Sequence, residues 1–236
     1  AVAGRMSVQA GAHCLEKNQN GRGVLLGGAP GGEPANVLIL GGGVVGENAA
    51  IIATGMRAKV YIVDKSEVRL KQLIEIFGEK IIPQQSDKID LNKLVAEADL
   101  IVGGVLIPGA EAPKLVTKDM LKLMKRGSVI VDVAIDQGGC VETSKPTTHA
   151  NPTFMVNEVV HYCVANMPGG VPRTSTMALN KATLPLLLKL ADQGYKKTLK
   201  ENKNYLAGLN VYRGEVTHKG VSDAFNLKYT PALELL

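Results

Sequence analysis

The 236-residue sequence predicts an α/β protein, a doubly wound parallel sheet flanked by helices. Three runs carry that prediction: VLIL at 37–40, LIV at 100–102 and VIV at 129–131. They contain no polar residue, as strands buried on both faces of a parallel sheet require. Helical patterns separate them, and glycine-rich turns follow them. Because 45% of residues are hydrophobic and only 4% aromatic, the core must be aliphatic.

Each element follows from its local pattern. Ser66 is a candidate helix N-cap, and Gly127 is expected to end a helix. The segment at 21–35 is rich in glycine and proline and is expected to be a loop. Strands are predicted near 36–40, 59–64, 80–82, 99–106, 128–135 and 159–166, and helices near 2–18, 44–55, 66–77, 90–98 and 117–127.

The alternation stops near Pro172, where we place a domain boundary between 1–172 and 173–236. The second part is predicted to be helical, with a break near Pro185 because proline cannot donate a backbone hydrogen bond.

The first residues form an amphipathic helical pattern without an initial Met. One predicted face holds Ala3, Met6, Ala10, His13 and Cys14. A chain that opens inside such a helix is typical of a fragment or a processed protein.

Composition argues against several partners. The net charge of +5 is mild. The densest basic run has helical spacing, which favours a solvated helix face over a polyanion site, so no nucleic-acid partner is expected. No run of 18 apolar residues and no signal-peptide pattern occurs, so no membrane partner is expected. The basic run consists of Lys196, Lys197, Lys200 and Lys203.

The three cysteines, Cys14, Cys140 and Cys163, lie far apart and form no C-x-x-C motif. This pattern favours reduced thiols in a cytoplasmic protein over a disulfide framework or a zinc site. Cys140 and Cys163 flank the predicted ligand edge of the sheet, but no nearby base marks either one as a nucleophile. We expect small buried residues instead.

A G-x-G-x-x-G motif is formed by Gly41, Gly43 and Gly46. The bare motif is weak in a chain with 26 glycines, but this one directly follows a strand and opens a helix. There Gly41 permits a tight turn, Gly43 lets the backbone approach a pyrophosphate, and Gly46 lets helix and strand pack closely. Free N–H groups at the helix start would then meet the phosphates.

Asp64 ends the next predicted strand, where a carboxylate can accept hydrogen bonds from both adenosine ribose hydroxyls. It would repel a 2′-phosphate, which favours NAD over NADP, although the adjacent Lys65 weakens that preference. The alternative is an ordinary glycine-rich turn with a strand-end Asp. We favour dinucleotide binding.

Two further segments follow predicted strands. VDVAIDQGGCVE at 131–142 offers Asp132 and Asp136, which share a face if the strand extends that far. VANMPGGVPRTST at 164–176 offers Asn166, whose amide suits a carboxamide or a carboxylate. The alternatives are a strand-end turn with a capping Asp and a domain linker. The four histidines, His13, His149, His161 and His218, lack metal-ligand spacing, and His161 is expected in the strand core.

Four stretches together resemble the alanine dehydrogenase family over essentially the whole chain. They are GRGVLLGG at 21–28, LGGGVVGENAA at 40–50, VDVAIDQGGCVETSKPTTHANPTF at 131–154 and YCVANMPGGVPRTSTMALNKATLP at 162–185. The resemblance implies a Rossmann domain that binds NAD and a reversible conversion of L-alanine to pyruvate and ammonium. The family is related to the NAD-binding subunit of transhydrogenase.

The resemblance also implies a set of site residues. Asp136 would be the catalytic carboxylate, and Lys145 stands where the family commonly has Arg. Asn166 would lie near the carboxamide and the substrate. The implied cofactor contacts are Asp64, Arg69 and Ser86 for the adenosine; Gly41, Gly43, Val44, Val45 and Gly46 for the pyrophosphate turn; Val105, Leu106, Val133, Ala134 and Ile135 on the path to the nicotinamide; and Val164, Ala165, Asn166 and Met167 closing over it.

Family members carry an N-terminal segment, with most of the substrate domain, that is not found before Ala1. The resemblance thus implies that 1–172 is an NAD-binding domain with an N-terminal linker helix, and that 173–236 is the C-terminal helical segment of the substrate domain. It implies a homo-oligomer, a hexamer in the family. Lys189 and Gln193 stand where some relatives hold a divalent ion, so no metal is predicted. The alternative is an NAD(H)-binding module or transhydrogenase-type subunit without amino-acid dehydrogenase activity.

Overall fold

The computed structural model describes residues 1–105 and 112–236. They divide into two compact units, which meet in sequence at Pro172. The strands of the first unit are β1 (Asn36–Leu40), β2 (Lys59–Asp64), β3 (Ile81–Gln85), β4 (Leu100–Gly103), β5 (Val129–Asp132), β6 (Thr153–Val156) and β7 (Val159–Tyr162). Its helices are α1 (Val2–Cys14), α2 (Val44–Gly55), α3 (Glu67–Phe77) and α4 (Leu91–Glu97).

One sheet organises the first unit, with strand order β3-β2-β1-β4-β5-β7-β6. All neighbours are parallel except β6 and β7, which pair antiparallel. The strand order reverses between β1 and β4, the arrangement of a doubly wound fold. The predicted fold class is therefore confirmed.

Aliphatic side chains fill both faces of this sheet. Alternate residues of β1 divide between two cores, since Val37 and Ile39 lie in one cluster and Leu38 and Leu40 in the other. This is why the run VLIL has no polar position. Two helices begin where polar side chains cap them. Ser66 accepts from the Arg69 N–H at 3.2 Å, as predicted, and Asp90 accepts from the Asn92 N–H at 3.0 Å.

The buried face of α1 overlaps the predicted one, whose Ala3, Met6 and Ala10 are partly buried against the core, but its fully buried residues are mostly others. They are Gly4, Ser7, Val8, Gly11 and Cys14, whereas His13 is exposed. The reason is close packing, because a Cβ on Gly4 would lie 2.2 Å from the Val45 carbonyl oxygen. Small residues, not large apolar ones, let α1 approach α2. The helix also ends at Cys14, followed by a 3₁₀ turn at Lys17–Gln19.

Two further predictions of secondary structure are wrong, and one strand was missed. The segment 117–127 forms only a 3₁₀ turn at Met120–Leu123. The backbone N–H groups near its two ends donate to other loops, Lys118 to the Glu142 side chain and Gly127 to the Glu158 carbonyl, instead of to carbonyls within a helix. The predicted strand 128–135 stops at Asp132, whose side chain caps a 3₁₀ turn, Val133–Gln137. The edge strand β6 was not predicted.

The second unit is mainly helical, as expected. It contains α5 (Pro172–Gln193), α6 (Tyr195–Glu201), α7 (Lys203–Ala207), α8 (Lys219–Phe225), α9 (Ala232–Leu235) and the hairpin of β8 (Val211–Tyr212) and β9 (Glu215–Val216). The predicted break at Pro185 is wrong, since α5 continues through it. The strong helix formers Leu184 and Leu186 flank the proline, which removes one N–H donor without ending the helix. Within the described ranges, no helix is both long and apolar enough to cross a membrane.

Candidate functional site

The carboxyl ends of the parallel strands meet at one edge of the sheet. The register aligns Leu40 of β1 with Val63 of β2 and with Gly103 of β4, and Gly103 with Asp132 of β5. The segments that follow these strands therefore project from the same edge, where open α/β sheets bind ligands. The glycine motif, Asp64 and the turn after Asp132 all belong to it.

The glycine motif forms a tight turn between β1 and α2. Gly41 has a φ of +93°, a backbone conformation that favours glycine. A Cβ on Gly46 would lie 1.8 Å from the Gly41 carbonyl oxygen, so only glycine fits there. A Cβ on Gly43, by contrast, would meet nothing within 4 Å. Gly41 and Gly46 thus shape the turn, whereas Gly43 keeps its surface open.

Both backbone polar groups of Gly42, in the middle of this turn, are hydrogen-bonded to side chains. The Gly42 N–H donates to Asp64 Oδ2 at 2.7 Å, and the Gly42 carbonyl accepts from Arg69 Nε at 2.6 Å. Arg69 also forms an ion pair with Glu47 in the first turn of α2. The second strand and third helix therefore brace the turn through side chains.

A cavity of about 410 Å³ opens beside the turn. Its walls are mainly apolar, with polar groups contributed by Asp64, Lys65 and Ser86. Seven predicted site residues line it: Gly41, Gly43, Val44, Val45, Asp64, Ser86 and Val105. Five further lining residues were not predicted as cofactor contacts, although Lys65 was noted beside Asp64: Val63, Lys65, Gly104, Pro113 and Leu115.

Hydrogen-bonding groups face this cavity at two points. Gly43 is the N-cap of α2 and provides no side-chain acceptor for the N–H groups of the first helical turn. Such groups attract anions, as does the positive end of the helix dipole. Asp64 Oδ1 accepts from the Ser66 N–H at 2.8 Å and Oδ2 from Gly42, so each oxygen keeps a second lone pair for a ligand hydroxyl.

The other predicted cofactor contacts that the structure describes lie outside the cavity walls. Gly46 lies beneath the turn, and Arg69 is engaged with Gly42, Glu47 and Gln72. Leu106 is outside the described residues. The remaining residues follow β5 and β7 at the same edge: Val133, Ala134, Ile135, Lys145, Val164, Ala165, Asn166 and Met167.

The turn after β5 distinguishes its two aspartates. Asp132 has no exposed surface, and its carboxylate accepts from the backbone N–H groups of Ala134 at 3.1 Å, Cys140 at 3.0 Å and Val141 at 3.2 Å. Asp136 lies on the 3₁₀ turn and is exposed. The condition for the pair to share a strand face is not met, because the strand ends at Asp132. Asp132 organises the loop, and Asp136 is presented by it.

The segment after β7 presents Asn166 in a left-handed conformation, with φ of 54°. The Asn166 carbonyl accepts from the Gly169 N–H at 2.9 Å and lies 3.1 Å from His149 Nε2. The exposed Asn166 side chain thus stands on a turn fixed by its own backbone. The Lys145 ammonium lies 4.6 Å from the centre of the Phe154 ring, a cation–π contact.

The buried histidine and cysteines are packed in the core and are held in their neutral forms. His161 has no exposed surface, as expected, lies 2.9 Å from Thr143 Oγ1 and stacks on Phe154. Burial lowers the pKa of His161, so the imidazole is neutral near pH 7. All three cysteines are free and buried, as predicted. Burial raises the thiol pKa of Cys14 and of Cys163 to about 11. No group of three His, Cys, Asp or Glu residues within 1–105 and 112–236 could hold a metal ion.

Comparisons with known proteins agree with this geometry. The family model described as alanine dehydrogenase/PNT, C-terminal domain, matches residues 7–219. The chain is 57% identical over 235 residues to an alanine dehydrogenase of Halomonas elongata and 56% identical over 236 residues to one of Methanococcus maripaludis. It is covered completely in both comparisons and spans 63% of the length of each relative.

Solved structures give the same result. An L-alanine dehydrogenase structure superposes with a TM-score of 0.87 at 51% identity, covering 95% of this chain and 62% of that one. A transhydrogenase from Sinorhizobium meliloti superposes with a TM-score of 0.73 at 22% identity, covering 92% of this chain and 59% of that one, a likeness of fold alone. The chain belongs to the alanine dehydrogenase/PNT C-terminal domain family.

Proposed function

We propose that the chain supplies the coenzyme half of an NAD-dependent alanine dehydrogenase, which catalyses the reversible oxidative deamination of L-alanine to pyruvate and ammonium. The observation that carries the proposal is the cavity at the sheet edge, with open helix N–H groups at one point and Asp64 at another. The names of its relatives at 56–57% identity support the substrate. Residues 1–172 would bind NAD, and 173–236 would belong to the substrate domain.

The residues present fit a dinucleotide. Gly43 leaves its backbone uncovered at the start of α2, so the N–H groups there would hold the pyrophosphate. Asp64 would accept from the ribose hydroxyls through the free lone pairs of its carboxylate. The apolar walls, which include Val45, Val105 and Leu115, would exclude water from the cofactor.

Bound NAD would supply a hydride acceptor for the substrate. The family resemblance makes Asp136 the proposed catalytic carboxylate, and its exposed place on a turn held by the buried Asp132 is compatible with that role. A carboxylate in that place could order a water molecule, stabilise a nearby cation or relay a proton. Asn166, on the neighbouring turn, would hydrogen-bond a carboxamide or a carboxylate.

Ligand binding tests the coenzyme assignment directly. We expect NADH to bind the chain and raise its melting temperature, and NADPH to bind more weakly because Asp64 repels a 2′-phosphate. Gly43→Ala should weaken NADH binding without lowering stability, since its Cβ contacts no protein atom within 4 Å. Gly55→Ala, whose Cβ also meets nothing within 4 Å, is the matched control. Absence of NADH binding by the wild-type chain would refute the assignment.

Turnover tests the rest of the proposal. The full-length protein should reduce NAD with L-alanine and oxidise NADH with pyruvate and ammonium, and Asp136→Asn should lower kcat more than it weakens NADH binding. A full-length protein that binds NADH without either reaction would instead be an NAD(H)-binding module. Hydride exchange with NADP would indicate the transhydrogenase-type alternative, which has only a likeness of fold in its favour.

Location and assembly are further parts of the proposal. A cytoplasmic protein is supported by three free, buried thiols, which are typical of a reducing compartment. The family resemblance favours a homo-oligomer, a hexamer among relatives. Fractionation of cells and light scattering after size-exclusion chromatography of the full-length protein would measure these two properties.

A further inference from the structure

The segment 112–118, here called the strap, runs along the loop that carries Asp136. Backbone hydrogen bonds join the two, from the Ala112 N–H to the Gln137 carbonyl at 3.0 Å and from the Leu115 N–H to the Cys140 carbonyl at 2.8 Å. Pro113 and Leu115 of the strap also line the cavity described above. The strap therefore contacts both the proposed coenzyme cavity and the proposed catalytic loop.

Lys114 lies between those two backbone links. Its ammonium donates to the carbonyl oxygens of Gly138 and of Gly139, the latter at 2.8 Å. Both glycines are left-handed, with φ of 84° and 76°. One cation thus binds two consecutive carbonyls directly after the 3₁₀ turn that ends at Gln137.

The loop is consequently held from two sides by opposite charges. Asp132 accepts from its N–H groups inside the fold, as described above, and Lys114 donates to its carbonyls from the exposed side. A Cβ on Gly139 would lie 2.7 Å from Asp132 Oδ2, so the loop passes close to the Asp132 carboxylate and leaves no room for a side chain at 139. Charge-assisted hydrogen bonds are stronger than neutral ones, and these fix the direction of the turn.

We propose that Lys114 is a positioning residue for Asp136: by binding the Gly138 and Gly139 carbonyls, it holds the Asp136 turn against the wall formed by Pro113 and Leu115. The inference rests on the proposed function, because holding Asp136 in place affects kcat only if Asp136 takes part in the proposed reaction. Small displacements of a reacting group lower rates steeply, so a contact remote from the substrate can control kcat.

Two substitutions and one control test this role. Lys114→Met keeps the length of the side chain but removes the donor, Lys114→Arg keeps a cationic donor, and Lys118→Met removes an exposed charge from the same strap. Amide hydrogen exchange of the peptide 133–142 in the unliganded chain measures the loop itself. We expect exchange several-fold faster in Lys114→Met, partial rescue in Lys114→Arg, and wild-type exchange in Lys118→Met.

Kinetics of the full-length protein measure the consequence. We expect Lys114→Met to lower kcat for L-alanine by about 10- to 100-fold. KM and the NADH Kd should stay within about twofold, because the strap backbone that lines the cavity is unchanged. Lys114→Arg should recover part of kcat.

Wild-type exchange in Lys114→Met, or wild-type kcat in an active enzyme, would overturn the inference. If the wild-type protein neither binds NADH nor turns over L-alanine, the proposed function fails, and the exchange experiment alone decides whether Lys114 positions the loop.

Discussion

Replacing Asp132 with Asn tests how the loop after β5 is built. The carboxylate accepts from three buried N–H groups, with Oδ1 serving Ala134 and Oδ2 serving Cys140 and Val141. Asparagine keeps one oxygen, so at least one buried N–H loses its acceptor and faces an NH₂ donor. An unsatisfied buried group costs about 1–3 kcal/mol, and the surviving bonds lose their charge. We therefore expect the free energy of unfolding to fall by about 2–4 kcal/mol.

Urea unfolding followed by far-UV circular dichroism measures this change. With a slope of about 2 kcal/mol per molar urea, the midpoint should drop by about 1–2 M. Asp136→Asn is the matched control four positions along the chain, and because its side chain is exposed its unfolding free energy should stay within about 0.5 kcal/mol of wild type. If Asp132→Asn is as stable as this control, the account of the loop is wrong. Should the variant not fold, faster exchange at Cys140 in Asp132→Glu provides a second readout.

Three other predictions concern the first unit. Gly46→Ala should destabilise the chain by more than about 1–3 kcal/mol, the usual cost of overpacking, because its Cβ would lie 1.8 Å from a backbone oxygen. The control Gly55→Ala should not destabilise the chain, and equal melting temperatures for the two variants would contradict the close packing at Gly46. The thiol pKa of Cys14 and of Cys163 is raised to about 11, so the free energy of unfolding should fall as pH rises from 9 to 11, because thiols of the unfolded chain ionise first. The buried thiols of the native chain should not react with a disulfide reagent at pH 8. The pKa of His161 is lowered by burial, so the unfolded state takes up the proton first and stability should fall as pH drops below 6.5. His161→Gln should reduce that fall in the urea midpoint, and an unchanged fall would contradict the assignment.

Local patterns predicted the parts of the fold that local physics determines. The strands β1, β4 and β5 are apolar on both faces, so their sequences are unmistakable. Ser66 caps α3 because its side chain needs only the N–H three residues later. The glycine turn was also predictable, since Gly46 is required by a contact with Gly41 five residues earlier and Gly41 by its left-handed backbone.

Contacts between distant segments were not predictable in this way. The segment 117–127 has the residues of a helix, yet the strap before it pairs with 137–142, and that pairing determines its path. The strap supplies Pro113 and Leu115 to the cavity, although nothing near them in sequence indicates a ligand. The strand β6 was missed because its hairpin turn uses Asn157 and Glu158 at φ of 47° and 61°, where glycine is the usual signal.

The hydrogen bond from the Gly42 N–H to Asp64 has a consequence for engineering the proposed coenzyme preference. Asp64, the residue one would replace to admit a 2′-phosphate at the proposed site, also holds the glycine turn through the Gly42 N–H. A substitution there that removes the acceptor changes the proposed ribose contact and the turn together. A route to NADP would therefore have to retain an acceptor for Gly42 while removing the charge, for example through Asp64→Asn or Asp64→Ser, and use Lys65 as the cation for the added phosphate. In the proposed coenzyme site, the ribose contact and the shape of the glycine turn would therefore change together, because Asp64 serves both.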